Sequence, residues 1–218
     1  MERGAVTKHF HKLLDDQGHE VEYDAFRDAY SVSARAQNIK ANITWEEFDH
    51  EKRLLETLVS INHEKPELPT IVRDLWKEYL TLWPIHSKPY KETIPLLNIL
   101  KDSYKIGLVT NFVDGPTARK VFNSLQFEKI FNVIIISGEV GYRKPKRLLF
   151  DLALSKLNAL PGNAVMVGDT VIADVVGPKE IGMKAILIDE DDSKKDSHHL
   201  ADAVIQNIGE LRNALLHV

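Results

Sequence analysis

The stretch AVMVGDTVIADVVGPKEIGMKAILID, residues 164–189, decides the fold because it contains two apolar strands and the turn that leaves the first of them. The run Ala164–Asp169 predicts one buried strand and Lys184–Asp189 predicts the next, with a short helix between them. Continuous apolar runs separated by helices are typical of parallel strands that are covered on both faces. Two carboxylates, Asp169 and Asp174, follow the first strand, so the sequence places an acidic pair where a buried strand ends.

The same alternation runs through residues 89–218. Three further strands are predicted in KIGLVTNF (105–112), FNVIIISGE (131–139) and ADAVIQN (201–207), with amphipathic helices between them. Because a crossover between parallel strands is right-handed, this order predicts an α/β fold with an open, doubly wound, Rossmann-like parallel sheet.

Residues 1–88 predict helices throughout. Val6, Phe10, Leu13 and Leu14 share one face of a helix, and Thr44 with Glu47 predicts a capping box at the start of a later one. We therefore expect an all-helical cap domain at 1–88 and an α/β core domain at 89–218. The proline-containing linker Pro84–Glu92 is the expected hinge.

Composition excludes several classes of function. The formal net charge of −4 gives no electrostatic basis for binding nucleic acid or an anionic membrane, and no apolar run approaches the roughly 20 residues of a spanning helix. The chain has no cysteine, which excludes disulfides, thiolate metal sites and cysteine nucleophiles. We expect a cytoplasmic protein without a membrane or nucleic-acid partner.

Polar side chains follow three of the predicted strands. Thr110 and Asn111 follow the first, Lys144 comes shortly after the second, and Asp169 and Asp174 follow the third. In an open parallel sheet, ligands bind beyond the carboxyl ends of the strands. A hydroxyl, an ammonium group and two carboxylates suit a phosphate together with Mg²⁺, which prefers oxygen ligands. The sequence therefore predicts a phosphate and metal site on this rim.

The segments LVTNF, SGEVGYRKPKRLLFDLAL and MVGDTVIADVVGPKEIGMKAILID resemble motifs II, III and IV of the haloacid dehalogenase superfamily. Their order and spacing are similar to the subgroup with a helical cap, which contains many phosphatases. The resemblance implies a Mg²⁺-dependent phosphatase acting on a small phosphorylated substrate, with a cap that selects the substrate and excludes water.

The resemblance also implies a role for each residue of the rim. Thr110 is the phosphate contact of motif II, and Asn111 lies where members of the family place another phosphate or substrate contact. Lys144 is the catalytic and substrate-binding lysine of motif III. Asp169 and Asp174 are the metal-binding acids of motif IV, and Asp174 also takes part in catalysis.

One motif of the family is absent from this sequence. Motif I is an apolar strand followed by Asp-x-Asp, whose first aspartate attacks phosphorus, and we find no credible replacement for it in the chain. Asp15 and Asp16 end an amphipathic helix, and we expect residues 189–196 (DEDDSKKD) to form a solvated acidic loop, with His198 and His199 on the surface. Strong turnover by this chain alone is therefore not expected. Two alternatives stay open, a non-catalytic binding or scaffold protein and a 2-haloacid dehalogenase-like enzyme.

The missing strand has a structural consequence, because in the family it lies between the strands that carry motifs II and IV. Another segment could fill the position, those two strands could pair directly, or a partner chain or N-terminal peptide could supply the strand. A truncated form of a longer protein would explain the absence. An unfilled position would also favour a homo-oligomer with strands exchanged between chains.

Overall fold

The structure is a computed structural model that describes residues 5–61, 65–86 and 88–218. The chain divides into two compact units, one up to residue 87 and the other from Lys88 to Val218. The predicted domain boundary after residue 88 lies next to this division. In the predicted linker, Pro84 belongs to a short helix, whereas Ser87 lies outside the described residues.

The described residues of the first unit form helices packed around an aromatic and leucine-rich core. The helices are α1 (Ala5–Asp16), α2 (Tyr23–Thr44), α3 (His50–Ser60), α4 (Leu68–Leu80) and α5 (Trp83–His86). Phe10, Phe26 and Leu54 have no exposed surface, and the rings of Phe10 and Tyr79 lie 4.8 Å apart. Their positions follow from the helical spacing of apolar residues in the sequence.

The predicted capping box at Thr44 and Glu47 is wrong. Thr44 is the last residue of α2, and Trp45 ends that helix in the left-handed conformation, with φ of 57°. Helix α3 begins only at His50, where the side chain of Asp49 accepts a hydrogen bond from the backbone N–H of Lys52. An aspartate N-cap thus replaces the predicted threonine.

The second unit is an α/β structure, as predicted. Its strands are β1 (Gly107–Thr110), β2 (Val133–Ile136), β3 (Val165–Gly168), β4 (Lys184–Ile188) and β5 (Ala203–Ile205). Its helices are α6 (Thr93–Leu100), α7 (Gly115–Ser124), α8 (Ser137–Val140), α9 (Arg147–Leu157), α10 (Gly177–Glu180) and α11 (Leu211–Ala214). Each of the five strands falls within a segment that the sequence predicts as a strand, and every strand pairing is parallel.

Both faces of β4 are buried, which is the signature of a doubly wound sheet. On one face Ile186 packs with residues of α6 and α11, and on the other Ala185 and Leu187 pack with Val175. Ile186, Ala185 and Leu187 are all fully buried. Successive strand residues point to opposite faces, so a continuous apolar run can serve two cores at once.

The strands belong to two separate sheets within the described residues. One sheet has the order β1-β2 and the other β3-β4-β5, so β1 and β3 each have a strand neighbour on one side only. Residues Leu108–Thr110 and Val165–Gly168 are half-buried, whereas Ile135 and Ile136 of β2 are buried. In the part of the chain that the structure describes, β1 and β3 do not pair directly, and no strand pairs with both of them.

Among the described residues, we find no helix with the length and apolar character needed to cross a membrane.

Candidate functional site

The predicted site residues lie in three loops at the carboxyl ends of the strands. Thr110 is the last residue of β1, and Asn111 follows it. Asp169 comes directly after β3 and is exposed, whereas Asp174, five residues further on, is buried. Lys144 lies between α8 and α9, beyond the end of β2, and is also buried.

Lys144 and Asp174 form a buried ion pair at the centre of these loops. Lys144 Nζ donates to Asp174 Oδ1 at 2.6 Å, and the two side chains are only 9% and 6% exposed. The other carboxylate oxygen of Asp174 accepts the backbone N–H of Thr170 at 3.0 Å. Both oxygens of Asp174 are therefore engaged by the protein, and the carboxylate fixes the position of the lysine ammonium group.

The chain places Asp174 by turning back sharply after β3. Residues Val171–Val176 form a π-helix, a wide turn that is rare and frequently found at functional sites. The backbone N–H of Asp174 donates to Thr170 O at 2.7 Å. Gly168 makes the approach possible, because a Cβ atom there would lie 2.4 Å from Asp174 Cγ.

Asn111 holds the backbone of Lys144 through both ends of its side-chain amide. Its Oδ1 accepts the N–H of Lys144 at 2.7 Å, and its Nδ2 donates to the carbonyl oxygen of Lys144 at 3.1 Å. The sequence predicts Asn111 as a phosphate or substrate contact. The structure gives its amide a positioning contact that joins the end of β1 to the loop carrying the lysine.

A second set of hydrogen bonds, which was not predicted from the sequence, fixes the loop after β1. Ser137 is fully buried and its Oγ accepts the backbone N–H of Phe112 at 2.8 Å, while the N–H of Gly138 donates to Phe112 O at 3.0 Å. These residues follow β2, so the ends of the paired strands β1 and β2 are tied together. The only sequence signal for them is a small, polar Ser-Gly pair directly after a buried strand.

The structure thus brings both Asn111 and Asp174 into direct contact with Lys144. Thr110 is the residue before Asn111, and Asp169 is the residue before Thr170, which bonds to Asp174. Thr170 Oγ1 also donates to Asp169 Oδ1 at 3.5 Å. All five predicted residues therefore belong to one group of adjoining loops, with the exposed carboxylate of Asp169 at its surface.

Asp189, at the end of β4, is not in a solvated acidic loop as predicted, because it has no exposed surface. Its carboxylate accepts His198 Nε2 at 2.6 Å and Lys194 Nζ at 3.2 Å. Burial by itself raises the pKa of Asp189, but the hydrogen bonds from His198 and Lys194 outweigh it and lower the pKa. Asp189, Asp192 and His198 have ligand atoms within 4.8 Å of one another, although the Lys194 ammonium group already neutralises Asp189 there.

Tyr90, near the start of the second unit, and Glu190, after β4, form a hydrogen-bonded pair near Asp169. A hydrogen bond to Glu190 raises the pKa of the Tyr90 hydroxyl, and the negative charge of Asp169 contributes in the same direction. Glu139, after β2, receives two bonds from Arg119, at 2.9 and 2.8 Å, which lower the pKa of its carboxyl group. Glu139 and Glu190 thus add two carboxylates after the ends of β2 and β4.

Comparison with known proteins shows the family to which the chain belongs. The sequence profile described as haloacid dehalogenase-like hydrolase matches residues 8–188. The chain is 28% identical over 134 residues to a glyceraldehyde 3-phosphate phosphatase of Methanothermobacter thermautotrophicus, covering 59% of each chain. It is 26% identical over 208 residues to a ribulose-1,5-bisphosphate 5-phosphatase of Halopiger xanaduensis, covering 89% of this chain and 84% of the relative.

A solved structure shows the same fold. A 2-haloacid dehalogenase from Pseudomonas syringae pv. Tomato superposes with a TM-score of 0.73 and 21% identity, covering 96% of this chain and 88% of the other. The matched regions make up between 38% and 59% of three glyceraldehyde 3-phosphate phosphatases, so the chain spans about half the length of these curated relatives. The family profile nevertheless spans most of the chain, and the chain belongs to the haloacid dehalogenase-like hydrolase family.

Proposed function

We propose that this chain carries the phosphate- and Mg²⁺-binding rim of a phosphatase that acts on a small phosphorylated metabolite. The observation that carries the proposal is the contact of Asn111, Lys144 and Asp174 beside Thr110 and Asp169. The similar phosphatases are named for glyceraldehyde 3-phosphate and ribulose 1,5-bisphosphate, which supports a small phosphorylated compound as the substrate class. The helical unit would serve as the cap.

The donor set fits magnesium. Mg²⁺ binds through one or two carboxylates, keeps several waters and shares oxygens with the substrate phosphate. Asp169 offers an exposed carboxylate, and Asp174 is the second acid, joined to Asp169 through Thr170. When bound, the ion neutralises and orients phosphoryl oxygens.

The protein's own groups would do the remaining work. The Thr110 hydroxyl and the backbone N–H groups of the loop after β1 donate hydrogen bonds to phosphoryl oxygens. The Lys144 ammonium group counters the negative charge of the phosphoryl group during transfer, and Asp174 and Asn111 hold that lysine in place.

The attacking carboxylate would enter on a strand between β1 and β3. Each of these strands has an unpaired edge among the described residues, and the family resemblance assigns the nucleophilic aspartate to a strand in this position. We propose that an apolar segment ending in aspartate, from a partner chain or an added N-terminal peptide, completes the sheet and the site. A homo-oligomer that pairs these edges would fill the sheet without supplying the nucleophile, and it would be visible as a dimer in gel filtration.

The experiment is hydrolysis of p-nitrophenyl phosphate with and without Mg²⁺, by the chain alone and with such a segment fused to its N-terminus. We expect turnover only when both the segment and Mg²⁺ are present. If the fused protein binds inorganic phosphate but shows no turnover, the chain is the non-catalytic binding protein that the absence of motif I favours. Release of halide from 2-chloropropionate would instead identify a dehalogenase.

Asp169→Ala is expected to lower Mg²⁺-dependent turnover of the fused protein by about 10²–10³-fold, because it removes the exposed metal-binding carboxylate. Steady-state rates at several Mg²⁺ concentrations check this expectation. The matched control is Asp102→Ala, which removes an exposed carboxylate elsewhere in the same unit and should leave turnover unchanged. Equal rates for the two variants would remove Asp169 from the proposed site.

A further inference from the structure

The helical unit contains a buried arginine without an acidic partner. Arg53, on α3, is only 7% exposed, and none of the ion pairs among the described residues includes it. A buried charge is costly unless it is paired and hydrogen-bonded. The position therefore needs a compensating group.

The neighbours of Arg53 satisfy its guanidinium only in part. Its Nε donates to Gln37 Oε1 at 3.0 Å, and its Cζ lies 5.6 Å from the ring of Tyr30 and 5.3 Å from the ring of Phe48. These rings offer cation–π attraction, whereas its Nη2 is buried without a hydrogen-bond partner. The hydrogen bond and the two rings thus fix the side chain, while the Nη2 group has no hydrogen-bond acceptor.

The loop of residues 45–49, between α2 and α3, places the ring of Phe48 against the guanidinium. Trp45 has a positive φ of 57°, which is unusual for a bulky residue, and Phe48 lies over Arg53. Glu47 in the same loop also has a buried oxygen, Oε2, without a partner, yet no ion pair joins it to Arg53 in the described residues. Arg53 Nη2 and Glu47 Oε2, six residues apart in the chain, are thus both buried without hydrogen-bond partners.

We propose that Arg53 is the anchor of an anion-binding site in the helical unit, and that it takes a compact oxyanion group, a carboxylate or a phosphate, of a small molecule. The planar guanidinium binds both groups through two parallel N–H donors, and its Nη groups are the donors left for them. The ligand reaches Nη2 when the Phe48 side chain moves aside. This site does not depend on Mg²⁺ or on turnover, so it stands apart from the proposed phosphatase activity.

The test is a titration of the full chain with inorganic phosphate and, separately, with malonate, followed by ¹⁵N–¹H NMR without Mg²⁺. The Arg53 Nε–H signal is protected by its bond to Gln37 and shifted by the two rings, and it is assigned by its loss in Arg53→Met. We expect this signal and the Trp45 indole N–H signal to shift saturably with one or both anions. The anion that acts identifies the oxyanion class.

The variants separate binding at Arg53 from binding elsewhere. The Trp45 shift should persist in Arg73→Met, which removes an exposed arginine from α4, and should disappear in Arg53→Met. Arg53→Lys, which keeps the charge if Arg53→Met fails to fold, should weaken the apparent affinity by roughly tenfold. If neither anion shifts the Arg53 signal, or if Glu47→Gln moves it as an internal ion pair would require, the proposed site does not exist.

Discussion

Lys144→Met is expected to lower the free energy of unfolding by about 3–5 kcal/mol, because it leaves the Asp174 carboxylate buried without its cationic partner. The two groups are 2.6 Å apart and almost completely buried, so little water is available to replace the lost ammonium group. Urea unfolding followed by circular dichroism measures the loss.

Two further variants make the measurement specific to the buried pair. Arg147→Met breaks the ion pair with Asp151, whose side chains are 72% and 47% exposed, and should cost less than about 1 kcal/mol. In the double variant Lys144→Met with Asp174→Asn, neither buried group carries a charge, so the protein should recover part of the lost stability. A Lys144→Met variant no less stable than Arg147→Met would show that the ion pair does not exist in solution.

Gly138→Ala is expected to destabilise the protein by about 3 kcal/mol, at the upper end of the cost of overpacking. A Cβ atom at this position would lie 2.0 Å from the carbonyl oxygen of Val113 and 2.9 Å from that of Phe112. Both obstacles are backbone atoms, so the loop after β1 would have to move. That movement would break the hydrogen bond from Gly138 N to Phe112 O and disturb the neighbouring Asn111.

Gly162→Ala is the matched control for this prediction. A Cβ atom on Gly162 would meet no atom within 4 Å, and its backbone does not have a positive φ. The substitution should be neutral or stabilising by up to about 1 kcal/mol, because alanine restricts the unfolded chain. Thermal unfolding of the two variants compares them directly, and an equal change in both would contradict the close packing at Gly138.

The strands could be predicted from the sequence because each is a continuous apolar run bounded by polar or turn residues. A run such as Val133–Ile136 is apolar at every position, which is typical of a strand in a sheet with helices on both faces. The start of α3 could not be predicted in the same way. Thr44 and Glu47 have the spacing of a capping box, but the left-handed conformation of Trp45 ends α2 there, and no pattern in the sequence signals it.

The sequence marks the candidate site residues but does not predict their contacts. Strand ends and family motifs mark Thr110, Asn111, Lys144, Asp169 and Asp174. The use of the Asn111 amide to hold Lys144 depends on the approach of two loops that are 33 residues apart in the chain. The burial of Asp189 was missed because an acidic residue in a run of acidic residues gives no sign that His198 and Lys194 will enclose it.

The unpaired edges of β1 and β3 determine how their amides exchange with solvent. In a parallel ladder, consecutive residues direct their peptide groups alternately to the neighbours on either side. With a neighbour on one side only, every second amide along Leu108–Thr110 and Met166–Gly168 has no strand acceptor among the described residues. Native-state hydrogen–deuterium exchange should therefore alternate between slow and fast along these strands. In β4, which lies between two strands, every amide should exchange slowly.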